Sequence, residues 1–398
     1  MKNKVLILTL LAAIILTCCA SPSATATAVQ AKAPANSPSA PTRTAIPTNA
    51  YNALSTQNAG TQTAELIKTY QSSPAQDVTP LRQTLGESVI ETLWFTPSTK
   101  WWSTQDKQTA QNILKLGMNP GLGVRELHAE GITGKGVTVA IIDQPVMLDH
   151  PEFQGKIIKY FDVGTGEQAD QGSMHGPAVT SLLVGENIGT APDAKVYYVA
   201  APSWLEDAQY YADALDWIVA ENAKLPEGSK IRVVSVSTMP SGLWALLHKN
   251  NDAWDAAYQR ATKAGLLVLD CTYEQGITVP CTLDLNDREN VTKCIPEWVG
   301  PINPPHERIN VPTSRRSSAT ELVDGRSVFS YQYTGWGGLS WSLPYLAGVL
   351  AMGWQINPDL TNAQMLGLLF DSAYVTDHQM KVINPRAFID MVRLTVKE

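Results

Sequence analysis

Basic charge is the first thing that this sequence lacks. Its 398 residues include 30 Lys and Arg against 37 Asp and Glu, which gives a formal net charge of −7. Binding to a phosphate backbone depends on clustered positive charge, so nucleic acid is excluded as the expected partner. Charged residues make up only 17% of the chain, which is low for a disordered polymer, whereas 44% of the residues are hydrophobic. The composition predicts a globular enzyme or binding domain.

Cysteine is also scarce, with five residues in the whole chain. Cys18 and Cys19 lie near the N-terminus, which leaves Cys271, Cys281 and Cys294. Their spacing matches no zinc pattern, so no metal or other cofactor is assigned from them. An odd number leaves at least one cysteine free. Pairing Cys281 with Cys294 would close a loop, and Cys271 lies in an apolar segment typical of a buried thiol.

A long uncharged apolar run is found at the N-terminus. It covers residues 5–17 after Lys2 and Lys4, is too short to span a bilayer and has the form of a secretory signal. The run ends in Leu-Thr-Cys-Cys-Ala, which resembles the lipobox of bacterial lipoproteins, where a Cys is lipidated. Cys18 fits this role as well as Cys19, and an ordinary signal peptide is the alternative. We therefore expect residues 1–19 to be a lipoprotein signal, with the mature protein lipid-anchored to a bacterial cell membrane and facing the extracytoplasmic side.

The next segment is poor in charge and in large apolar side chains. Residues 20–78 are rich in Ala, Ser, Thr and Pro, and such a stretch buries too little apolar surface to offset its ordering entropy. We expect it to be a disordered tether, with ordered structure beginning between Thr79 and Trp94. Residues 79–117 are then expected to form a helical N-terminal extension, which is short for an independently folding pro-domain. Residues 118–398 are expected to form the main domain.

The main domain alternates continuous apolar runs with amphipathic segments. Strands buried on both faces are predicted where the apolar runs are continuous, at residues 137–143, 195–201, 231–237 and 265–271. Helices are predicted between them at residues 208–224 and 251–264. This alternation is typical of an α/β fold with a mostly parallel sheet between two layers of helices. Reactive groups collect at the carboxyl ends of such strands, which draws attention to Asp143.

Two further helices begin at residues that can carry chemistry. Apolar residues follow His175 at helical spacing, and a longer apolar helix follows Ser340. Pro344 lies in the first turns of the second helix, where a missing N–H costs little. Asp143, His175 and Ser340 would then supply an orienting carboxylate, a general base and a nucleophile presented at a helix N-terminus.

The flanking sequences make this set specific. Gly-Val-Thr-Val-Ala-Ile-Ile-Asp around Asp143, Met-His-Gly around His175, and Gly-Leu-Ser-Trp-Ser-Leu-Pro-Tyr-Leu-Ala-Gly around Ser340 resemble the three blocks of the subtilisin-like serine peptidases, the subtilases. The resemblance covers roughly residues 120–385. It implies a three-layer α/β/α domain that hydrolyses peptide bonds through an acyl-enzyme on Ser340, with peptides or proteins as substrates. Family members often bind structural calcium, and no compact Asp/Asn loop names a site here.

Two departures from the family pattern concern the cleft. The strand that pairs with substrate usually carries Ser-x-Gly, whereas this chain has Ser237, Thr238 and Met239. The oxyanion Asn of the family is replaced by Glu274. Gln275 could supply the amide after a one-residue shift, Glu274 could be protonated by burial, or the backbone N–H of Ser340 could act with little help.

These departures leave three functional hypotheses. The first is a membrane-tethered serine endopeptidase. The second is a catalytically weak or inactive subtilase-like protein that binds peptides, because Glu274 occupies the oxyanion position. The third is acyl transfer on esters or small peptides.

Overall fold

The computed structural model describes residues 61–166, 171–297 and 305–396. The expected lipoprotein signal with Cys18 and Cys19, and the expected tether up to residue 60, lie outside the described residues.

The α-helices are α1 (Thr61–Ser72), α2 (Glu87–Ile90), α3 (Thr104–Gly117), α4 (Val124–Ala129), α5 (His175–Val184), α6 (Ala208–Lys224), α7 (Asn251–Lys263), α8 (Leu339–Ile356), α9 (Asn362–Asp371) and α10 (Pro385–Arg393). The β-strands are β1 (Ala75–Asp77), β2 (Trp94–Lys100), β3 (Thr138–Asp143), β4 (Ile157–Asp162), β5 (Lys195–Ala200), β6 (Ile231–Val236), β7 (Leu267–Asp270), β8 (Thr278–Thr282), β9 (Ile295–Pro296), β10 (Ile309–Ser314), β11 (Arg316–Val323), β12 (Arg326–Thr334), β13 (Tyr374–Val375) and β14 (Lys381–Val382).

A five-stranded parallel sheet forms the centre of the domain. Its strand order is β4-β5-β3-β6-β7, so β3 lies in the middle and pairs with β5 and β6. Every residue of β3 is buried, which explains why the sequence of this strand is continuously apolar rather than alternating. The four predicted strands are therefore confirmed as β3, β5, β6 and β7.

Helices cover both faces of this sheet. Alternate residues of β3 point in opposite directions: Val139 and Ile141 pack into the core that contains α5 and α8, while Ala140 and Ile142 pack into the core that contains α6 and α7. The expected three-layer α/β/α architecture with a mostly parallel sheet is confirmed. The carboxyl end of β3, with Asp143, emerges at the edge where α5 begins.

A second five-stranded sheet, β13-β14-β10-β8-β9, lies beyond the central one along the chain. Cys281 of β8 and Cys294, just before β9, are joined in a disulfide with their Cα atoms 5.4 Å apart. Cys271 is a buried free cysteine, as its apolar surroundings predicted. The pairing that the sequence left open is thus the one between Cys281 and Cys294.

The N-terminal part differs from the sequence expectation. The segment expected to be a tether up to residue 78 contains α1 and β1, and order is already present at Thr61. Ile67, Ala75 and Val78 are buried in a core that also includes Tyr333 of β12. The average composition of residues 20–78 did not reveal these few apolar residues, because Ala, Ser, Thr and Pro dominate that average.

The segment 79–117, expected to be helical, also contains a strand. Strand β2 pairs in parallel with β1 and antiparallel with β12, which gives a four-stranded sheet β1-β2-β12-β11. Only α2 and α3 of this segment are α-helical. The N-terminal extension is therefore built into a sheet of the main domain, with β12 leading directly towards Ser340.

Candidate active site

Asp143 is the last residue of β3 and is buried at the carboxyl edge of the sheet. A buried carboxylate is costly unless it accepts hydrogen bonds. Its Oδ1 accepts one from the backbone N–H of Gln144 at 2.8 Å and one from Nδ1 of His175 at 2.7 Å. Because Nδ1 carries the proton in that bond, Nε2 of the neutral imidazole is left as the proton acceptor. Asp143 and His175, which the sequence predicts as orienter and base, are therefore hydrogen-bonded to each other.

His175 is the first residue of α5, and the helix start approaches the end of β3 closely. Gly176 makes this possible, since a Cβ atom there would overlap the carbonyl oxygen of Gln144. The hydroxyl of Tyr198 on β5 donates a hydrogen bond to the same carbonyl. The glycine after His175 thus has a steric reason, which is that only a residue without a side chain lets the imidazole reach Asp143.

The electrostatics of this pair favour the imidazolium. Burial of the ring lowers the pKa of His175, but the charge of Asp143 and its hydrogen bond raise it by more, so the pKa lies above the ordinary value of 6.5. A general base must be neutral to accept a proton. The basic form of His175 is therefore lost as the pH falls through this raised pKa.

Ser340 is the second residue of α8, which begins after Gly338. Pro344, four residues later, has no N–H to donate to the carbonyl of Ser340. The hydroxyl of Ser237 replaces that donor at 2.9 Å, and the Ser340 hydroxyl in turn donates to the Ser237 carbonyl at 3.1 Å. These two reciprocal hydrogen bonds join the nucleophile helix to the segment after β6.

Trp341, the residue after Ser340, contacts the imidazole of His175. The ring of Trp341 lies 5.2 Å from the imidazole of His175, centroid to centroid, and its indole N–H donates to Oγ1 of Thr334 at 3.3 Å. In the part of the chain that the structure describes, the Ser340 hydroxyl is not hydrogen-bonded to His175. Catalytic hydrogen bonds often form only when substrate is present, and the Ser340 hydroxyl here is bonded to the Ser237 carbonyl.

The expected substrate-pairing segment, Ser237, Thr238 and Met239, has its backbone acceptors occupied. The carbonyl of Ser237 accepts from Ser340, that of Thr238 from the N–H of Cys271 at 3.0 Å, and that of Met239 from the N–H of Leu246 at 2.9 Å. The last bond comes from the loop that follows the segment. A peptide N–H that paired with the carbonyl of Met239 would compete with the N–H of Leu246.

Glu274 does not contact Ser340 in the hydrogen bonds of the described chain. Its side chain is exposed, and its carboxylate accepts a hydrogen bond from the backbone N–H of Leu243 at 3.1 Å and lies against Gly242. Glu274 is therefore not the buried residue that one of the alternatives required. Glu274 instead binds the loop that contains Leu243 and Leu246. The N–H of Leu246 in this loop is hydrogen-bonded to the carbonyl of Met239.

Gln275 contacts Thr272. Its backbone N–H donates to the hydroxyl of Thr272 at 3.2 Å, and its side-chain oxygen lies 3.5 Å from the same hydroxyl. The sequence-predicted oxyanion residues therefore make their observed contacts at Leu243 and Thr272. This leaves the N–H groups that begin α8, including that of Ser340, as the donors nearest to the nucleophile in sequence.

Two contacts at the site were missed by the sequence reasoning. The Trp341 ring against His175 had a signal, because Trp341 directly follows Ser340 in the sequence. The contact of Leu246 with Met239 had none, because the loop carries no hydrophobic periodicity.

Metal ligands and membrane spans were also sought. Across residues 61–166, 171–297 and 305–396, no group of three or more His, Cys, Asp or Glu side chains lies close enough together to hold a metal ion. Over the same ranges, no helix is both long and apolar enough to cross a bilayer.

Comparison with known proteins agrees with this geometry. The sequence profile of the subtilase family matches residues 134–387, so the chain belongs to that family. It is 25% identical over 259 residues to subtilisin E of Bacillus subtilis, covering 62% of this chain and 63% of that protein, and 27% identical over 301 residues to a probable subtilase-type serine protease of Deinococcus radiodurans, covering 63% and 39%. The solved structure of fervidolysin from Fervidobacterium pennivorans, a keratinolytic enzyme, matches 69% of this chain and 45% of its own, at 15% identity and a TM-score of 0.49. The chain thus spans less than two thirds of the length of these relatives.

The hydrogen bond between Asp143 and His175 predicts a specific titration. We expect the imidazole of His175 to titrate above 6.5 in NMR spectra, and below 6.5 in Asp143→Asn, because burial then lowers the pKa without the opposing charge. His128, whose pKa is lowered by burial and is not affected by Asp143, is the internal control and should titrate alike in both proteins. An unchanged His175 titration in Asp143→Asn would contradict the assignment.

Proposed function

We propose that the protein is a serine endopeptidase that hydrolyses peptide bonds through an acyl-enzyme on Ser340. The observation that carries this proposal is the 2.7 Å hydrogen bond from His175 Nδ1 to buried Asp143, with Ser340 at the start of the neighbouring helix. Membership of the subtilase family supports it. Peptides or proteins are the proposed substrates.

The chemistry follows from these groups. Ser340 Oγ attacks the carbonyl carbon of the scissile bond while Nε2 of His175 takes the hydroxyl proton, and the same nitrogen returns it to the leaving amine. Asp143 holds the imidazole in orientation and stabilises its charged form. Water then attacks the acyl-enzyme, with His175 again as the base. General base help of this kind contributes roughly 10²–10⁴-fold to the rate.

The oxyanion is the weak point of the proposed reaction. Loss of one side-chain donor typically lowers turnover by about 10²–10³. Glu274 supplies no amide donor, and its contacts lie with Leu243. The backbone N–H of Ser340 at the helix N-terminus is the donor that we propose acts here. We therefore propose a slow peptidase.

A second candidate function is peptide binding without cleavage. Two observations favour it. The carbonyl of Met239 already accepts a hydrogen bond from Leu246, and Glu274 has a carboxylate at the position where the family has an amide. Such a protein would keep the fold and the Asp143–His175 pair but would not acylate Ser340 at a useful rate. Acylation is therefore the property that separates the two functions. Transfer of the acyl group to an amine instead of water is another outcome of the same chemistry, and product analysis identifies it.

The first prediction concerns the nucleophile. Purified protein should be labelled covalently by a fluorophosphonate probe, and Ser340→Ala should abolish the label because Oγ is the attacking atom. Ser342→Ala is the matched control, since this neighbouring hydroxyl is buried and bonded to Thr278 and to the Leu339 carbonyl. Folded wild-type protein that takes up no label would favour the peptide-binding alternative.

The second prediction concerns Glu274. Glu274→Ala should raise kcat/KM for an extended peptide several-fold. The Leu243 N–H loses its partner in this variant, so the hydrogen bond from the Leu246 N–H to the Met239 carbonyl breaks more readily. The rate of fluorophosphonate labelling should stay within about twofold, since a small probe needs no pairing with Met239. Ala carries no amide, so a gain cannot come from a new oxyanion donor. Glu274→Asn, which restores the amide, should raise both rates if the side chain reaches the oxyanion. Equal peptide turnover in Glu274→Ala and wild type would show that the loop does not obstruct the cleft.

We also propose that the enzyme is a lipoprotein on the outer face of a bacterial cell membrane. The apolar run at residues 5–17 and the lipobox-like Leu-Thr-Cys-Cys-Ala support this proposal. The disulfide between Cys281 and Cys294 is compatible with an oxidising compartment. One lipidated cysteine then anchors the chain, and residues 20–60 link it to the ordered part.

The lipid anchor can be tested in a bacterial host. Expressed protein should incorporate labelled palmitate and fractionate with membranes, and substitution of the modified cysteine should abolish both. Comparing Cys18→Ser, Cys19→Ser and the double variant identifies the position, since only one cysteine can become the N-terminus. Incorporation that persists in the double variant, or wild-type protein released to the medium without lipid, would rule out the anchor.

A further inference from the structure

The loop between β12 and the nucleophile helix determines where Ser340 lies. It consists of residues 335–338, with Gly335, Gly337 and Gly338 around Trp336. Ser340 follows two residues after this loop, so a displacement of the loop displaces the nucleophile. What holds the loop is therefore relevant to catalysis.

One side of the loop is held by the end of β10. The hydroxyl of Thr313 donates to the carbonyl of Gly337 at 2.7 Å, and the hydroxyl of Ser314 accepts from its N–H at 2.9 Å. Thr313 and Ser314 are fully buried. These contacts belong to the subtilase-like domain itself.

The other side of the loop is held by the N-terminal extension. The N–H of Gly335 donates to the carbonyl of Leu93 at 3.0 Å, and the carbonyl of Gly335 accepts from the N–H of Arg315 at 3.2 Å. A Cβ atom at Gly335 would overlap the backbone of Thr92. The backbone just before β2 and the backbone just before Ser340 are thus in direct contact.

The segment at residues 91–95, which we call the brace, is itself anchored. The guanidinium of Arg315 lies 3.0 Å from the carboxylate of Glu91, and the hydroxyl of Tyr333 donates to the Glu91 carbonyl at 2.8 Å. Both Glu91 and Arg315 are about four-fifths buried. Arg315 therefore contacts the brace through its side chain and Gly335 through its N–H.

The brace also reaches the base. Trp94 pairs with Thr334 in the β2–β12 ladder, and Thr334 Oγ1 accepts the indole N–H of Trp341, whose ring lies against His175. The loop at residues 335–338 directly follows strand β12, and Trp341, whose ring lies against His175, is hydrogen-bonded to Thr334 of the same strand. The brace is paired with β12.

We propose that the brace positions Ser340, with Glu91 and Arg315 as positioning residues, and that the N-terminal extension is a permanent part of the active enzyme rather than a removable pro-segment. This rests on the proposed function, since it assigns the geometry of the same nucleophile. A misplacement of about 1 Å at a reacting group can cost on the order of 10²-fold in rate. The link between Glu91 and Arg315 is accordingly expected to matter for kcat and little for KM.

Three substitutions test the brace. Arg315→Ala should slow fluorophosphonate labelling about tenfold and lower kcat for a peptide by a similar factor at unchanged KM. Arg315→Lys, which keeps the charge beside Glu91, should recover most of that loss. Glu91→Ala should reproduce the effect of Arg315→Ala, and the double variant should lose no more than either single one. Arg260→Ala is the matched control, because it breaks an exposed Arg–Asp pair with Asp216 between α6 and α7 and should leave both rates unchanged.

Hydrogen exchange gives a readout that does not depend on activity. Amides 335–340 should exchange about tenfold faster in Arg315→Ala than in Arg260→Ala, while those of β3 stay protected. Mass spectrometry of labelled wild-type protein should recover peptides from residues 61–100. Wild-type rates and exchange in both Glu91→Ala and Arg315→Ala, or labelled protein that begins after Lys100, would overturn the brace. If wild type is never labelled but exchange rises as expected, the peptidase proposal fails while the positioning of the loop stands.

Discussion

The buried carboxylate of Asp143 is the group on which the site depends. A charge at the end of a fully buried strand is tolerated only when hydrogen bonds replace water, and here the N–H of Gln144 and the ring of His175 do so. That requirement draws the start of α5 against the end of β3, which in turn requires Gly176. One electrostatic demand therefore accounts for the contact between His175 and Asp143 and for the glycine that follows His175.

The nucleophile is fixed by a different kind of demand. Pro344 leaves the carbonyl of Ser340 without its helical donor, and Ser237 supplies one from the neighbouring strand end. Ser237 accepts the Ser340 hydroxyl in return. The helical hydrogen bond that Pro344 cannot make is thus replaced by one that links Ser340 to the expected substrate-pairing segment. The same link engages the Ser340 hydroxyl at the Ser237 carbonyl.

Much of this could be predicted from the sequence, and the failures have a physical pattern. Continuous apolar runs identified β3 and its neighbours because burial on both faces constrains every residue, and the blocks around Asp143, His175 and Ser340 made the family recognisable. Composition failed at residues 61–78, where a few buried residues outweigh a polar average. Alignment to the family assigned Glu274 to the oxyanion position but could not reveal that its carboxylate binds Leu243, because side-chain direction in a turn is decided by contacts distant in sequence.

Magnitudes decide which departure from the family pattern matters more. Replacing the Leu246 N–H on Met239 by a substrate N–H exchanges one hydrogen bond for another, and a typical net hydrogen bond is worth only about 0.5–1.5 kcal/mol. Losing the oxyanion amide costs about 3–4 kcal/mol in the transition state, with no compensating bond in the ground state. In the proposed reaction the occupied segment affects which peptides gain access, whereas the missing amide limits how fast any of them is cleaved. With one oxyanion donor fewer, the proposed rate depends on how accurately Ser340 is positioned, which makes the hydrogen bonds of Gly335 and Gly337 more important than in a site with a full set of donors.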